Sequence, residues 1–165
     1  MFEKFKESDI EKAFCDYIGQ GQFSVIGRQV VLPLGRIDIL LSWTNPHGIC
    51  PVIVEVKKGK IDLSACGQLY GYIGQVDYLI GSMFARNYNH GGVEFRNRKS
   101  IGILVGDSID SRASRIIKST DVWFYKYKFS NNNFSFEKDQ DIFLDEDCDI
   151  RLRRLIENIS AWHAE

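Results

Sequence analysis

Two acidic side chains stand where strands are expected to be apolar. Asp38 lies inside Arg36-Ile37-Asp38-Ile39-Leu40-Leu41, and Glu55 lies between Val54 and Val56. Burying an unpaired carboxylate is expensive, so positions of this kind call for a partner. Lys57 follows Glu55 by two residues, and the period of two along a strand puts both on one face. If the two strands are neighbours in register, Asp38 comes close to Glu55. Two carboxylates about 4 Å apart repel by roughly 4 kcal/mol at an effective dielectric constant of about 20. A divalent cation turns that repulsion into binding, and Mg2+ is typically held by one or two carboxylates together with waters and phosphate oxygens. Such an ion polarises a phosphate and acidifies its bound water, while a neighbouring ammonium group orients the water and offsets developing charge. The chemistry expected of Asp38, Glu55 and Lys57 is therefore phosphodiester hydrolysis dependent on Mg2+ or Mn2+. Glu55-Val56-Lys57 is a common tripeptide and, taken alone, reads more readily as an ion-pair ladder. Its surroundings have to decide.

Those surroundings supply strands and helices in a definite order. Ser8 and Glu11 have the form of a capping box, and Ile10, Phe14, Tyr17 and Ile18 follow at helical spacing, predicting a helix over 8–18 that stops at Gly19 and Gly21. Phe23–Leu32, rich in valine and isoleucine and bounded by Pro33, reads as a strand. Gly35 opens a second strand in which Ile37, Ile39 and Leu41 alternate with Arg36, Asp38 and Leu40. After a turn through Asn45-Pro46-His47-Gly48, a third strand over 51–60 places Val52, Val54 and Val56 on one face and Ile53, Glu55 and Lys57 on the other. Short connections make these three an antiparallel meander. Leu69, Ile73, Val76 and Ile80 then form a helical stripe within 61–80, suited to lying on the sheet. Residues 81–100 are polar and read as a long loop. Ile101–Gly106 reads as a buried strand, Ser111–Ser119 as a helix, Val122–Phe129 as a strand, and Phe134–Phe136 as its hairpin partner. Leu152, Leu155, Ile156 and Ile159 mark an amphipathic C-terminal helix.

Gly35-Arg36-Ile37-Asp38, then Glu55-Val56-Lys57, then Gln68-Leu69-Tyr70-Gly71-Tyr72, in this order across roughly residues 7–129, resemble the PD-(D/E)XK nuclease superfamily. The likeness is greatest to the catalytic domain of archaeal-type mismatch and branched-DNA endonucleases and to RecB-like nucleases. It implies an α/β fold with a restriction-endonuclease-like core, a mixed β-sheet whose N-terminal meander is flanked by helices. It also implies that Asp38 and Glu55 bind the metal, with the Val56 carbonyl as a further ligand. Lys57 matches the catalytic lysine. Gln68 and Tyr72, at i and i+4 on one side of a helix, match positions that steady the site and contact the DNA backbone. For the acid that the family often adds from its first helix, Glu7 suits the spacing from Asp38. Glu11 fits the inward phase less well and already has the capping role. One departure is Ile37 before Asp38 where the motif has proline, as in many RecB-like members.

Arg36, Lys58 and Lys60 stand near these acids and are expected to hold a phosphate backbone. Arg96, Arg98 and Lys99 fit either a strand clamp or a solvated loop. Between Lys57 and Lys128 there are twelve basic residues against six acidic, and between Glu137 and Asp149 seven acidic against one basic. That distribution fits a phosphate-attracting side, and equally an ordinary solvated surface. The expected partner is DNA. No helix-turn-helix or zinc finger accompanies the core, so cutting is expected to be structure-specific or non-specific, by a homodimer or a subunit of a larger complex. A catalytically inactive nucleic-acid-binding or assembly module on the same fold is the alternative, and the intact acids and lysine speak against it.

The 165 residues fit a single domain, with a core over about 7–129 and a C-terminal acidic segment and helix over 137–165. Cys15, Cys50, Cys66 and Cys148 are far apart, and His47, His90 and His163 are scattered, so buried thiols rather than a structural zinc site are expected. Trp43, Trp123 and Trp162 read as core or interface residues rather than base-stacking platforms. The charged N-terminus lacks the apolar stretch of a signal peptide, and no apolar run approaches the roughly twenty residues of a membrane span. A cytoplasmic location without membrane contact is the expectation.

Overall fold

A computed structural model describes residues 5–45, 48–87 and 100–139. Helix α1 (Glu7–Ile18) is followed by β1 (Phe23–Leu32), β2 (Gly35–Asn45) and β3 (Gly48–Val56), then by the two-residue β4 (Lys60–Ile61) and the long helix α2 (Leu63–Asn87). The second half comprises β5 (Ile101–Gly106), β6 (Ser108–Ile109), α3 (Ser111–Ile117), β7 (Val122–Ser130) and β8 (Asn133–Lys138). Six strands form one mixed sheet in the order β1-β2-β3-β5-β7-β8, while β4 and β6 pair separately. The expected meander is present, with β1–β2 and β2–β3 antiparallel. Both β3–β5 and β5–β7 are parallel, their crossovers made by α2 and α3, and β7–β8 closes as an antiparallel hairpin.

Side-chain alternation along the strands divides the core into two layers. Val52, Val54 and Val56 of β3, with Ile103 and Val105 of β5, pack against Ile10, Phe14 and Ile18 of α1. Ile53 of β3 and Leu104 of β5 face the other way, against Leu69, Tyr72 and Val76 of α2 and Ala113 and Ile117 of α3. Central strands covered on both faces read as continuous apolar runs, which is why 52–54 and 103–105 carry no polar residue. Burying each such side chain contributes about 1.5–3 kcal/mol over leaving it exposed. At Gly102 a Cβ would stand 2.8 Å from Leu69 and 3.0 Å from Ile73, so glycine is what lets α2 lie this close to β5.

Three expectations about where elements begin and end change. The first turn of α1 is closed by Lys6 and Asp9: the Lys6 N–H donates to the Asp9 carboxylate at 2.7 Å, and the Asp9 N–H donates to the Lys6 carbonyl at 3.0 Å. Ser8 and Glu11 therefore make no capping box, and Glu11 turns inward, 3% exposed. Residues 81–87, expected in a loop, extend α2, because Met83, Phe84, Ala85 and Arg86 form helix readily and the lone Gly81 does not stop it. The third strand ends at Val56 rather than near residue 60, although the Lys57 N–H still donates to the Val105 carbonyl at 2.9 Å. Residues 88–99 of the expected loop, with Arg96, Arg98 and Lys99, lie outside the described residues, as do the acidic segment beyond residue 139, the expected C-terminal helix and Trp162. Cys50 and Cys66 are buried and Cys15 is half-buried. Trp43 and Trp123 meet edge-on beside Phe23 at the sheet end remote from Asp38 and Glu55. No helix among the described residues is long and apolar enough to cross a membrane.

Candidate active site

Asp38 and Glu55 meet where β2 and β3 stop exchanging backbone bonds. The ladder's last pair on this side is Ile39 with Val54, and two residues further along β3 the Val56 amide donates to Asp38 Oδ2 at 2.8 Å. The carboxylate thus takes the place of a strand carbonyl. Glu55 is 1% exposed, and its Oε1 accepts a bond from Lys57 Nζ at 2.6 Å. Its second oxygen, Oε2, is buried with no hydrogen-bond partner among the described residues. Burial pushes the Glu55 carboxyl up to about 7; the Lys57 hydrogen bond opposes that shift, and the charges of Asp38 and Glu7 add to it. Asp38 is also raised by burial, against the Val56 amide bond. Burial pulls Lys57 down, but its bond to Glu55 and the three surrounding carboxylates outweigh this and hold its ammonium above the ordinary value.

A relay on α2 holds the lysine. Lys57 Nζ donates to Gln68 Oε1 at 3.4 Å, and Gln68 Nε2 donates to the Tyr72 hydroxyl at 3.0 Å. The helical rise stacks residues four apart, so this second bond is local to α2. The same hydroxyl accepts the Arg36 N–H at 3.4 Å, tying α2 to the start of β2. Gly35 makes this approach possible. Its φ of +153° and a Cβ that would fall 2.8 Å from the Tyr72 ring leave room for no other residue. Tyr72 itself is 7% exposed and belongs to the α2 core.

A second network, on the α1 side, was not anticipated. Glu11 accepts bonds from Arg28 Nη2 at 3.1 Å and Gln29 Nε2 at 2.8 Å, and the same Gln29 nitrogen lies 3.4 Å from Asp38 Oδ1. Gln29 has φ of +53°, a left-handed conformation costing roughly 1–2 kcal/mol for a residue with a Cβ. Mid-strand polarity at Gln29, and Glu11 one turn beyond Glu7, were the only signals in the sequence. Glu7 stands near the site: its Oε2 accepts the Lys58 N–H at 2.9 Å, and its charge acts on Asp38, Glu55 and Lys57.

The expected phosphate-binding residues are spread more widely. Arg36 is exposed beside Gly35. Lys58 Nζ donates to the Phe5 carbonyl at 2.6 Å and lies over the Phe5 ring, while Lys60 pairs with Asp110 at 3.5 Å.

The donor set suits a hard divalent cation. Asp38, Glu55 and the Val56 carbonyl offer oxygen alone, and an unpartnered buried carboxylate oxygen beside a second carboxylate is what a cation would satisfy. Among the described residues no group of three or more His, Cys, Asp or Glu side chains is gathered for a metal, so the side-chain ligands on hand are two.

No protein-family model matches the chain, and no curated protein does. Among solved structures it is similar to a repair endonuclease from Pyrococcus abyssi, with 23% identity, a TM-score of 0.51 and 75% of this chain matched to 48% of that one. It is also similar to EndoMS in a complex with double-stranded DNA, with 20% identity, a TM-score of 0.54 and 75% of this chain matched to 46% of that one. The chain thus spans about half the length of these neighbours. With its six-stranded mixed sheet flanked by helices, this chain has the restriction-endonuclease-like fold of those DNA endonucleases.

Proposed function

We propose that the chain is a divalent-metal-dependent nuclease that hydrolyses phosphodiester bonds in DNA, cutting structure-specifically or without sequence preference. The observation that carries this reading is the buried, unpartnered Oε2 of Glu55 beside Asp38, with the Lys57 ammonium on the other oxygen of the same carboxylate. Asp38, Glu55 and the Val56 carbonyl would hold Mg2+ or Mn2+, with Glu7 near enough to bear on the charge of the site. Such an ion, when bound, supplies charge neutralisation at the phosphate and a water of lowered pKa. Lys57 is the chain's own donor to the attacking water and to the charge that grows on the phosphate. Gln68 keeps the ammonium in place, and Tyr72 keeps Gln68 in place. Arg36, Lys58 and Lys60 supply positive charge around the site, and of the three only the exposed Arg36 has a side chain engaged by no hydrogen bond, ion pair or ring contact among the described residues. The likeness to structures described as a repair endonuclease and as a complex with double-stranded DNA supports DNA as the substrate.

The test is a cleavage panel of flaps, junctions, mismatched duplexes and single strands with Mg2+ or Mn2+. At least one form should be cut, and Asp38→Ala and Lys57→Ala should abolish cutting while circular dichroism shows the fold intact. Variants that cut as well as the parent would overturn the assignment.

A further inference from the structure

At one point in the β1–β2 pair the side-chain alternation slips on both strands at once. Ile39 packs in the α1 layer and Ile37 in the α2 layer, although a regular strand would put them on one face. Opposite them, Arg28 reaches the Ser8 carbonyl and Glu11 on α1, whereas Val30 packs in the α2 layer. The pairing itself stays in step across this point, Arg28 with Ile39 and Val30 with Ile37, leaving Gln29 opposite Asp38. The left-handed backbone of Gln29 is how β1 makes the change of face.

Backbone strain of this kind persists where the surroundings over-determine it, and it clusters at functional sites. Here the strained residue carries an amide that lies between two carboxylates from different elements, 2.8 Å from Glu11 and 3.4 Å from Asp38. Glu11, buried and gripped by Arg28, serves as the fixed point. With the Val56 amide on Oδ2 and the Gln29 amide on Oδ1, the two oxygens of Asp38 are held from both sides.

The geometry points to Gln29 as a positioning residue that, anchored on Glu11, fixes the Asp38 carboxylate in its cation-binding orientation. The inference rests on the reading of Asp38 and Glu55 as a cation site. Groups that orient a metal ligand commonly change metal affinity by about 10- to 100-fold when removed.

Gln29→Gly separates this role from a merely structural one, because glycine accepts the left-handed backbone without strain while removing the amide. Mn2+ binding to the DNA-free protein, followed by calorimetry, should weaken by about tenfold or more, while the thermal midpoint moves little because the relief of backbone strain is offset by the bond lost at buried Glu11. Unchanged Mn2+ affinity would overturn the inference, whatever happens to the midpoint. Gln29→Asn tolerates the same backbone but has one methylene fewer to span the two carboxylates, and should weaken Mn2+ binding as well; should the glycine variant not fold, this variant decides. Asp38→Asn is the control for the underlying reading. If it binds Mn2+ like the parent, the cation site itself is wrongly placed; if it loses Mn2+ while Gln29→Gly keeps it, only the role of Gln29 falls.

Discussion

On the α2 side of the carboxylates, a relay runs from Glu55 through Lys57 and Gln68 to Tyr72, and its first and last links follow strand and helix spacing, with only the Lys57–Gln68 bond crossing between elements. On the α1 side, Arg28, Glu11 and Gln29 reach Asp38 through a residue in a left-handed conformation and through contacts 17 and 18 positions apart in sequence. The first network grips the lysine and ends in the close approach of Tyr72 to Gly35. The second grips the carboxylate that the first does not touch. The contrast shows one site held by two kinds of support, one spaced mainly by secondary structure and one by tertiary packing alone.

The comparison breaks most visibly at the lysine. Lys57→Ala should lower the DNA cleavage rate by about a thousandfold, as loss of a group stabilising transition-state charge does elsewhere. Gln68→Ala, which only loosens the lysine, should cost much less, about tenfold in the same assay. Equal losses in the two variants would mean that Gln68 does more than hold Lys57.

A pH series on the metal-free protein sharpens the contrast next. Glu55 has a folded pKa of about 7 against 4.5 for the free side chain, so the folded state binds the proton more tightly. The stability this confers is complete below about pH 4.5 and is lost as pH rises through about 7. Asp38, raised as well, works in the same direction. Urea unfolding should show the metal-free protein less stable at pH 8 than at pH 5, by on the order of 2–3 kcal/mol. Glu55→Gln should flatten that dependence, and a parent protein that gains stability over the same interval would contradict the assignment of the buried proton.

Gly35→Ala drives a methyl group against the Tyr72 ring, and overpacking of this sort costs about 1–3 kcal/mol, read as a lower urea midpoint. Tyr72→Phe removes the hydroxyl that serves Gln68 and the Arg36 amide and should cost about 1 kcal/mol. It should also reduce cleavage less than Gln68→Ala does, since the lysine keeps its direct partner.

The sequence displayed the α2 relay because its spacing obeys local rules. Glu55 and Lys57 share a strand face at two residues, and Gln68 and Tyr72 share a helix face at four. The meander, the buried central strands and the helix stripe were legible for the same reason. Gln29 was not legible, since a change of face on two paired strands leaves no period to read. Glu11 was set aside because its spacing from Ser8 imitates a capping box, while the turn closes two residues earlier through Lys6 and Asp9. The extension of α2 over 81–87 was hidden by Gly81 and by the polar run that begins at Arg86, although Met83, Ala85 and Arg86 favour helix.

The claim on which the rest depends is that Asp38 and Glu55 share one cation. An anomalous difference map from crystals grown with Mn2+ tests it directly. The account predicts a peak bridging the two carboxylates, with metal–oxygen distances of about 2 Å and the former partnerless Oε2 of Glu55 among the ligands. A well-ordered site with no peak there, or with Mn2+ bound elsewhere and Glu55 still paired only to Lys57, would contradict it.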